Sequence, residues 1–394
     1  MLLNIEDYRR RTRAVLPRFV HDYIEGSADD GHCMRRNAGD LSGIELTPRV
    51  LRDTTRVDTS VEVFGRKWAL PLGIAPTGLN GLVRPEGDRL LAAAAGEAGI
   101  PFSLSTASNM RLEDVRAAAP GGMQWMQLYV MHREMASQIV ERARKDGYQA
   151  LVLTVDVPVS GNRELDLRNG FRMPFRPTPR LAWDLVSHPR WSLRMAPRGA
   201  PDFANLTPSG SGAGSTSMQA ALLARAMDQS LVWESLAWLR GMWKGPLLLK
   251  GVLHPDDARM ALDHGIDGLI VSNHGGRQND ASPSAISALP RVANAVAGRI
   301  PVFMDGGIRR GGDIAKALAL GAMAVFVGRP TLYGLAVGGQ QGAAAVLKIL
   351  ADELVRNMTL LGATTVRDLP ARRLAATLQA AEAVEAPDAM PLAR

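Results

Sequence analysis

The sequence holds one cysteine, Cys33. A lone thiol forms no intrachain disulfide and builds neither a thiolate metal site nor an iron–sulfur site, a usage that suits a reducing compartment. Cys33 is therefore expected to pack as a small buried hydrophobe. Aromatic residues make up only 5% of the chain. With no zinc-finger spacing, RNP-like string or lysine tract, nucleic acid is not an expected partner. Long hydrophobic runs are missing too: the nearest, residues 317–328, is shorter than the roughly 18 residues of a membrane span. Glu6 and Asp7 stand where a secretory signal would place its apolar core, so no signal peptide is expected.

What is present is the composition of a globular protein, 46% hydrophobic and 22% charged over 394 residues. That excludes disordered and collagen-like chains. The length suits two or three domains, or one barrel with insertions. Lys and Arg outnumber Asp and Glu by 46 to 39, a net charge of +7. Such an excess fits nucleic acid, an anionic membrane surface or anionic small molecules, and composition does not choose among them.

Eight short apolar runs recur along the chain: LPLGIA (70–75), PFSLST (101–106), QWMQLYV (124–130), ALVLTV (150–155), PLLLK (246–250), GLIVSN (268–273), PVFMD (301–305) and AVFVG (324–328). Near-continuous runs of this length mark parallel strands covered on both faces. Segments between them, such as 88–98, 133–145, 255–264 and 313–320, have helical composition. The pattern predicts an α/β fold, a (β/α)8 TIM barrel. An open doubly wound sheet is the alternative, but no GxGxxG follows the first strand.

Residues 1–394 read as a single domain. The segment before the barrel predicts an N-terminal helical cap and a small hairpin around Phe64, Gly65 and Arg66. After strand 4 the repeat is interrupted by a long insertion, 168–217, rich in proline and ending in SGSGAGSTS. Gln219–Trp243 is expected to supply the missing fourth helix.

A barrel places its chemistry where the strands end. Those ends carry Thr77-Gly78, Ser105, Gln127 with Tyr129, Thr154 with Asp156, Lys250, Ser272 with His274, Asp305, and Gly328-Arg329. The turns DGGIRRGGD (305–313) and VGRP (327–330) combine glycines with Arg309 and Arg329. Backbone N–H groups and guanidinium groups of that kind cradle phosphate, so a phosphate-bearing cofactor or substrate is expected. In SNHGGRQND (272–280), His274 and Arg277 share one loop. An imidazole suits proton abstraction near neutral pH, and a guanidinium suits bidentate binding of a carboxylate. Arg163 offers a second carboxylate clamp, and Asp156 could hold the imidazole's tautomer and stabilise its charged form.

The strings SNHGGRQ, DGGIRRGGDIAKALALGA, QLYV, LTVD, LLKG and DYIEGSADD resemble the FMN-dependent α-hydroxy-acid oxidoreductase family, from Asn4 to about Gly362. The family includes enzymes that oxidise glycolate, lactate and mandelate. PTGLNG, LSTASNM, HPRWSL and PTLYGL are most similar to its mandelate-oxidising branch. The resemblance implies FMN as cofactor, its phosphate on Gly307, Arg309, Gly328 and Arg329, with Asp305 and Gly306 among its further contacts. Its ribityl chain and ring would meet Pro76, Thr77, Gly78, Ser105, Gln127, Thr154 and Ser272, with Lys250 beside the ring edge that gains negative charge. Tyr23, Tyr129, Arg163 and Arg277 would bind substrate, and His274 would be the base. The reaction implied is oxidation of a 2-hydroxy acid to the 2-oxo acid. Carbanion and hydride routes both stay open. So do a membrane quinone, oxygen or a cytochrome as the final acceptor, although no haem-binding segment is found. The family is usually tetrameric or larger, and a homotetramer is expected.

Gly78 stands where family members acting on small acids have alanine, and Ala107 where glycolate oxidase has a bulky tryptophan. The extra room suggests an aromatic substrate, (S)-mandelate or a close analogue, giving benzoylformate. Between positions 167 and 215, seven arginines (168, 172, 176, 180, 190, 194, 198) face only Asp184 and Asp202, so this stretch alone carries +5. It also holds Trp183, Leu185, Val186, Trp191, Leu193 and Met195. A basic, tryptophan-bearing segment suits an interfacial membrane attachment. A peripheral location on the cytoplasmic face of the inner membrane, with a quinone acceptor, is therefore expected. The alternatives are a mobile active-site flap, a soluble oxygen-using oxidase and, from a different class, a phosphate-binding barrel isomerase.

Overall fold

The computed structural model describes residues 1–169, 178–198, 203–206 and 227–369. Two short strands, β1 (Val61–Val63) and β2 (Arg66–Trp68), form an antiparallel hairpin. Its two-residue turn, Phe64 (φ 48°) and Gly65 (φ 69°), is left-handed at both positions, the geometry that matches strand twist. Eight parallel strands follow: β3 (Leu72–Ile74), β4 (Phe102–Leu104), β5 (Gln124–Leu128), β6 (Ala150–Thr154), β7 (Leu247–Val252), β8 (Gly268–Val271), β9 (Val302–Asp305) and β10 (Ala324–Val327). They close into a barrel, with β10 pairing β3 at Val325↔Leu72 and Val327↔Ile74. The predicted barrel, hairpin and eight strand positions are all present; seven runs are trimmed by a residue or more at their ends, while β7 extends past the expected 246–250 to Val252, which puts Lys250 within the strand and not at its end.

Both faces of each strand are buried, which explains the near-continuous apolar runs. Trp125, Val152, Leu248, Ile270, Phe303 and Phe326 fill the barrel, while neighbours such as Met126, Leu151 and Leu153 belong to the outer core. Trp68 of the hairpin stacks on Phe303, ring centroids 5.9 Å apart, and Phe64 packs on Trp125. The hairpin thus stoppers the end of the barrel opposite the strand C-termini.

The N-terminal cap consists of α1 (Ile5–Val15), α2 (Arg18–Glu25) and α3 (His32–Gly43). Asn4 caps α1 by accepting the Asp7 N–H at 2.9 Å. Cys33 lies fully buried in α3, as expected. The helical segment Arg329–Leu361, broken at Gly339 (φ 63°), packs against α1.

The insertion is more structured than its composition suggests. Helices Pro179–Ser187 and Pro189–Met195 each start with proline at the first turn. Asp184 accepts the N–H groups of Arg18 and Phe19 at 3.0 and 3.3 Å. It thereby caps α2, which has no side-chain cap of its own. Trp191 is buried edge-on against Phe19 and donates its indole N–H to the Leu82 carbonyl at 2.8 Å. Of the helix expected over Gln219–Trp243, residues 227–232 are not helical, and helical structure runs from Trp233 to Met242. Asp228 and Ser230 account for the non-helical stretch, since their local bonds favour a turn. Residues 219–226 of that expectation lie outside the described residues.

Candidate active site

The strand C-termini open into one cavity between the barrel mouth and the N-terminal cap. Its lining includes Tyr23, Pro76, Thr77, Gly78, Ser105, Tyr129, Arg163, Lys250, His274, Arg277, Asp305, Gly306, Gly307, Arg309, Gly328 and Arg329, all expected from the sequence. Four other expected residues, Gln127, Thr154, Asp156 and Ser272, stand directly behind these. Gln127 accepts the Ser105 hydroxyl at 3.2 Å and donates to Thr154 Oγ1 at 3.0 Å.

His274 occupies a strained backbone position, φ 58°, followed by Gly275 and Gly276 at φ 65° and 75°. Three consecutive left-handed residues turn the chain sharply back over the barrel mouth. A Cβ at Gly276 would lie 2.5 Å from the Met34 nitrogen, so α3 can approach only a glycine there. The preceding Asn273 exchanges two amide hydrogen bonds with Asn37 of α3, at 2.9 and 2.8 Å. The His274 backbone N–H donates to Ser272 Oγ at 3.0 Å. Held this way, the imidazole lies between Asp156 Oδ1, 3.0 Å from Nδ1, and the Tyr129 hydroxyl, 3.3 Å from Nε2. Burial pushes the Asp156 carboxyl up, but the charges of His274 and Lys250 outweigh it and hold the group below the usual range. Burial raises the Tyr129 phenol well above its ordinary value, so it stays a neutral donor.

Lys250 is almost wholly enclosed. It donates to Ser272 Oγ at 3.0 Å and pairs with Asp305 at 3.2 Å, while Ser272 donates to Asp305 at 2.5 Å. Burial alone would lower its pKa, but Asp305 and Asp156 raise it, so a fixed ammonium faces the cavity. Asp305, expected from sequence as a cofactor contact, is in the structure also the counter-ion of this lysine.

Arg277 donates to the carbonyls of Tyr23 and Gly26, both at 2.8 Å, and sits over the Tyr23 ring at 5.1 Å. Burial, with Arg163 nearby, brings its pKa down to about 10, so it remains a cation short of anionic partners. Arg163 lies 3.6 Å from Asp166. Arg329 donates to the carbonyls of Ile24, Gly275 and Gly26 at 2.9, 2.9 and 2.8 Å. It therefore stitches the cap to the His274 loop as well as lining the cavity, a structural duty the sequence did not reveal. A guanidinium has five N–H donors, so Arg329 keeps capacity toward the cavity, as does Arg309, which donates to the Ile308 carbonyl. These two arginines with Gly306, Gly307 and Gly328 make a donor set suited to a phosphate, and buried Lys250 suits a ring that takes up negative charge. The residues fit FMN.

Sequence reasoning missed the apolar end of the cavity, formed by Leu79, Met131, Phe203, Leu206 and Met227 beside Ala107. These residues have no motif; they are legible only once the insertion is seen to fold back over the barrel.

A barrel with a phosphate cradle, a buried cation and a His–Asp pair beside two arginines defines a cofactor-dependent enzyme acting on a carboxylate. The chain belongs to the FMN-dependent dehydrogenase family, whose sequence profile matches residues 12–376. It is 46% identical to (S)-mandelate dehydrogenase of Pseudomonas putida over 370 residues, 93% of this chain and 92% of that protein. It is 40% identical to an L-lactate dehydrogenase of Ectopseudomonas mendocina, over 92% of this chain and 96% of that protein. It is also 40% identical to 2-hydroxyacid oxidase 1 of Mus musculus, over 93% and 94%. Among solved structures, that of the monotopic membrane protein (S)-mandelate dehydrogenase superposes with a TM-score of 0.91 at 45% identity, covering 95% of this chain and 99% of that one. The protein is an FMN-dependent enzyme that oxidises 2-hydroxy acids.

Proposed function

We propose that the substrate is an aromatic (S)-2-hydroxy acid, (S)-mandelate or a close analogue, and that the product is benzoylformate or its counterpart. The observation that carries this reading is the pairing of Gly78 with Ala107. A Cβ at Gly78 would lie 3.0 Å from the Ala107 Cβ, so two minimal side chains face each other at the apolar end of the cavity. The greater identity to the mandelate enzyme than to the lactate enzyme agrees with it.

FMN, when bound, supplies the two-electron acceptor. Arg309, Arg329, Gly306, Gly307 and Gly328 would hold its phosphate, while Pro76, Thr77, Ser105, Gln127, Thr154 and Ser272 would shape the floor behind it. Lys250 would offset negative charge on the reduced ring. Arg163 and Arg277 grip the substrate carboxylate, and the hydroxyls of Tyr23 and Tyr129 orient the α-carbon. His274 accepts a proton at Nε2, and Asp156 at Nδ1 stabilises the imidazolium that results.

The same reading places the enzyme at the cytoplasmic face of the inner membrane, attached through 168–217, with a quinone as final acceptor and a homotetramer as the assembly. No helix among the described residues is long and apolar enough to cross a membrane. The described part of the insertion instead exposes Trp183, Val186 and Leu193 beside exposed Arg190 and Arg194, a basic and apolar face fit for a headgroup layer. Trp191 and Met195 face inward, so the segment divides into a docking side and an outer side. The relative whose structure is described as monotopic supports attachment of this kind. Of the seven arginines, 172 and 176 lie outside the described residues.

Steady-state kinetics on purified enzyme test the substrate: a higher kcat/KM for (S)-mandelate than for L-lactate or glycolate is expected, and the reverse order overturns the assignment. Anaerobic reduction by substrate, followed by air or a quinone analogue, tests the acceptor. Rapid reoxidation by the quinone alone is expected; rapid reoxidation by air supports the oxygen-using alternative. Co-sedimentation with anionic vesicles, lost in W183S/L193S, tests the attachment.

A further inference from the structure

The return leg of the insertion is built into the wall of the active site. Phe203 and Leu206 are buried and line the cavity. Asn205 between them turns its side chain to the barrel instead. Its Oδ1 accepts the Leu112 N–H at 2.9 Å and an Arg142 Nη2–H at 3.2 Å, and its Nδ2 donates to the Met110 carbonyl at 3.0 Å. The flanking backbone is tied as well, with Ala204 N–H donating to the Ser108 carbonyl at 3.1 Å and Arg142 Nη1 to the Asn205 carbonyl at 3.4 Å.

The clamp is itself held. Arg142 makes two bonds to Glu113, at 2.6 and 2.8 Å, and the guanidinium pulls the Glu113 carboxyl down to about 2. The ion pair stays charged through the neutral range. Leu112 opens the helix Leu112–Ala118, whose first N–H groups lack partners of their own. An amide is the side chain that satisfies this setting: it accepts from Leu112 and donates to Met110 together, which neither a carboxylate nor a hydrocarbon can do.

The loop after β4 that receives Asn205 is also the loop that carries Ala107. One clamp therefore fixes the spacing between the small wall residue on the barrel and the large ones on the insertion.

We propose that Asn205 is a positioning residue for substrate selection: by clamping 203–206 to the loop after β4, it seats Phe203 and Leu206 as the wall against which a bulky apolar side chain of a 2-hydroxy acid packs. The proposal deepens the functional reading above and rests on its placing the carboxylate at Arg163 and Arg277.

The test compares FMN-loaded wild type, N205A, N205D and F203A on L-lactate, (S)-2-hydroxyhexanoate and (S)-mandelate, with flavin content measured for each. For N205A, KM for mandelate is expected to rise about tenfold, the scale of one or two lost apolar contacts, while kcat and the lactate KM move less than about threefold. N205D keeps the contacts to Leu112 and Arg142 and is expected to recover part of the selectivity. Equal changes on lactate and mandelate, or none, overturn the proposal. If N205A fails to fold, F203A decides alone: it must lose discrimination against lactate, and unchanged discrimination overturns the proposal. Should wild type prefer lactate to mandelate, the aromatic assignment fails, and the Asn205 proposal is judged on hydroxyhexanoate against lactate in the same variants.

Discussion

Asp156 Oδ1 lies 3.0 Å from His274 Nδ1, and the opposite ring nitrogen of the same imidazole reaches the Tyr129 hydroxyl at 3.3 Å. One nitrogen is committed to a carboxylate, and Nε2, on the side of the Tyr129 hydroxyl, is the one the proposed mechanism uses to accept the substrate proton. Replacing His274 by alanine should leave FMN bound, because none of the phosphate donors depends on the imidazole. Flavin reduction by substrate should slow by about 10² to 10⁴, the usual contribution of a positioned base. Stopped-flow absorbance of the flavin band checks this, and undiminished bleaching removes His274 from the role.

Asp156→Asn probes the other side of the imidazole. The buried carboxylate is held ionised by His274 and Lys250, so across the assay range it supplies a constant negative charge. Its removal takes the counter-ion from the imidazolium that would form when His274 accepts a proton, so the rate of flavin reduction by substrate should fall while flavin content is unchanged. An undiminished rate would mean that Asp156 acts only through packing.

Gly78→Ala adds one methyl at the place where the proposed aromatic side chain would need room. The new Cβ would meet Ala107 Cβ at 3.0 Å, its carbonyl oxygen at 3.4 Å and the Tyr23 hydroxyl at 3.7 Å. The Tyr23 hydroxyl already donates to the Gly78 carbonyl at 3.2 Å, so little slack remains on that side. KM for mandelate should rise about tenfold relative to L-lactate, within the range expected of one methyl group. A uniform loss on both substrates would point to a disturbed Tyr23 instead.

How much of this was legible beforehand follows from the range of each interaction. Strand ends were readable because Lys250, His274 and Asp305 each follow an apolar run directly. The phosphate cradle was readable because its glycines and arginines are contiguous. Asn205, 93 residues from its Leu112 partner, and Arg329, 305 residues from Ile24, carry no local signature. Their hydrogen bonds exist only after the insertion and the cap have docked. Trp191 illustrates the same limit: grouped by composition with Trp183 as a surface aromatic, it is buried by a contact to Leu82 that the sequence does not encode locally.

Asp88 gives a stability prediction with a definite sign. It is fully enclosed beneath the loops of β3 and β4, accepting from Asn80 Nδ2 and the Ser108 hydroxyl, both at 2.7 Å. Asn80 in turn accepts the Thr77 hydroxyl at 2.9 Å, which links this acid to the cavity floor. Burial outweighs these bonds and pushes the carboxyl up to about 6, against about 3.9 in an unfolded chain. Between those two values the folded protein keeps a proton that the unfolded chain releases. Asp88 therefore lowers stability as pH rises through that window, by at most about 3 kcal/mol, and the loss is complete above it. Asp88→Asn does not titrate. It keeps one acceptor oxygen and puts an NH2 group in place of the other, so it loses one of the two accepted hydrogen bonds, and its stability relative to wild type should be lower at pH 4.5 than at pH 7. Urea unfolding of both proteins at the two pH values measures this difference. A deficit that grows toward neutral pH would mean that Asp88 is ionised in the fold throughout, with the Asn80 and Ser108 bonds outweighing its burial.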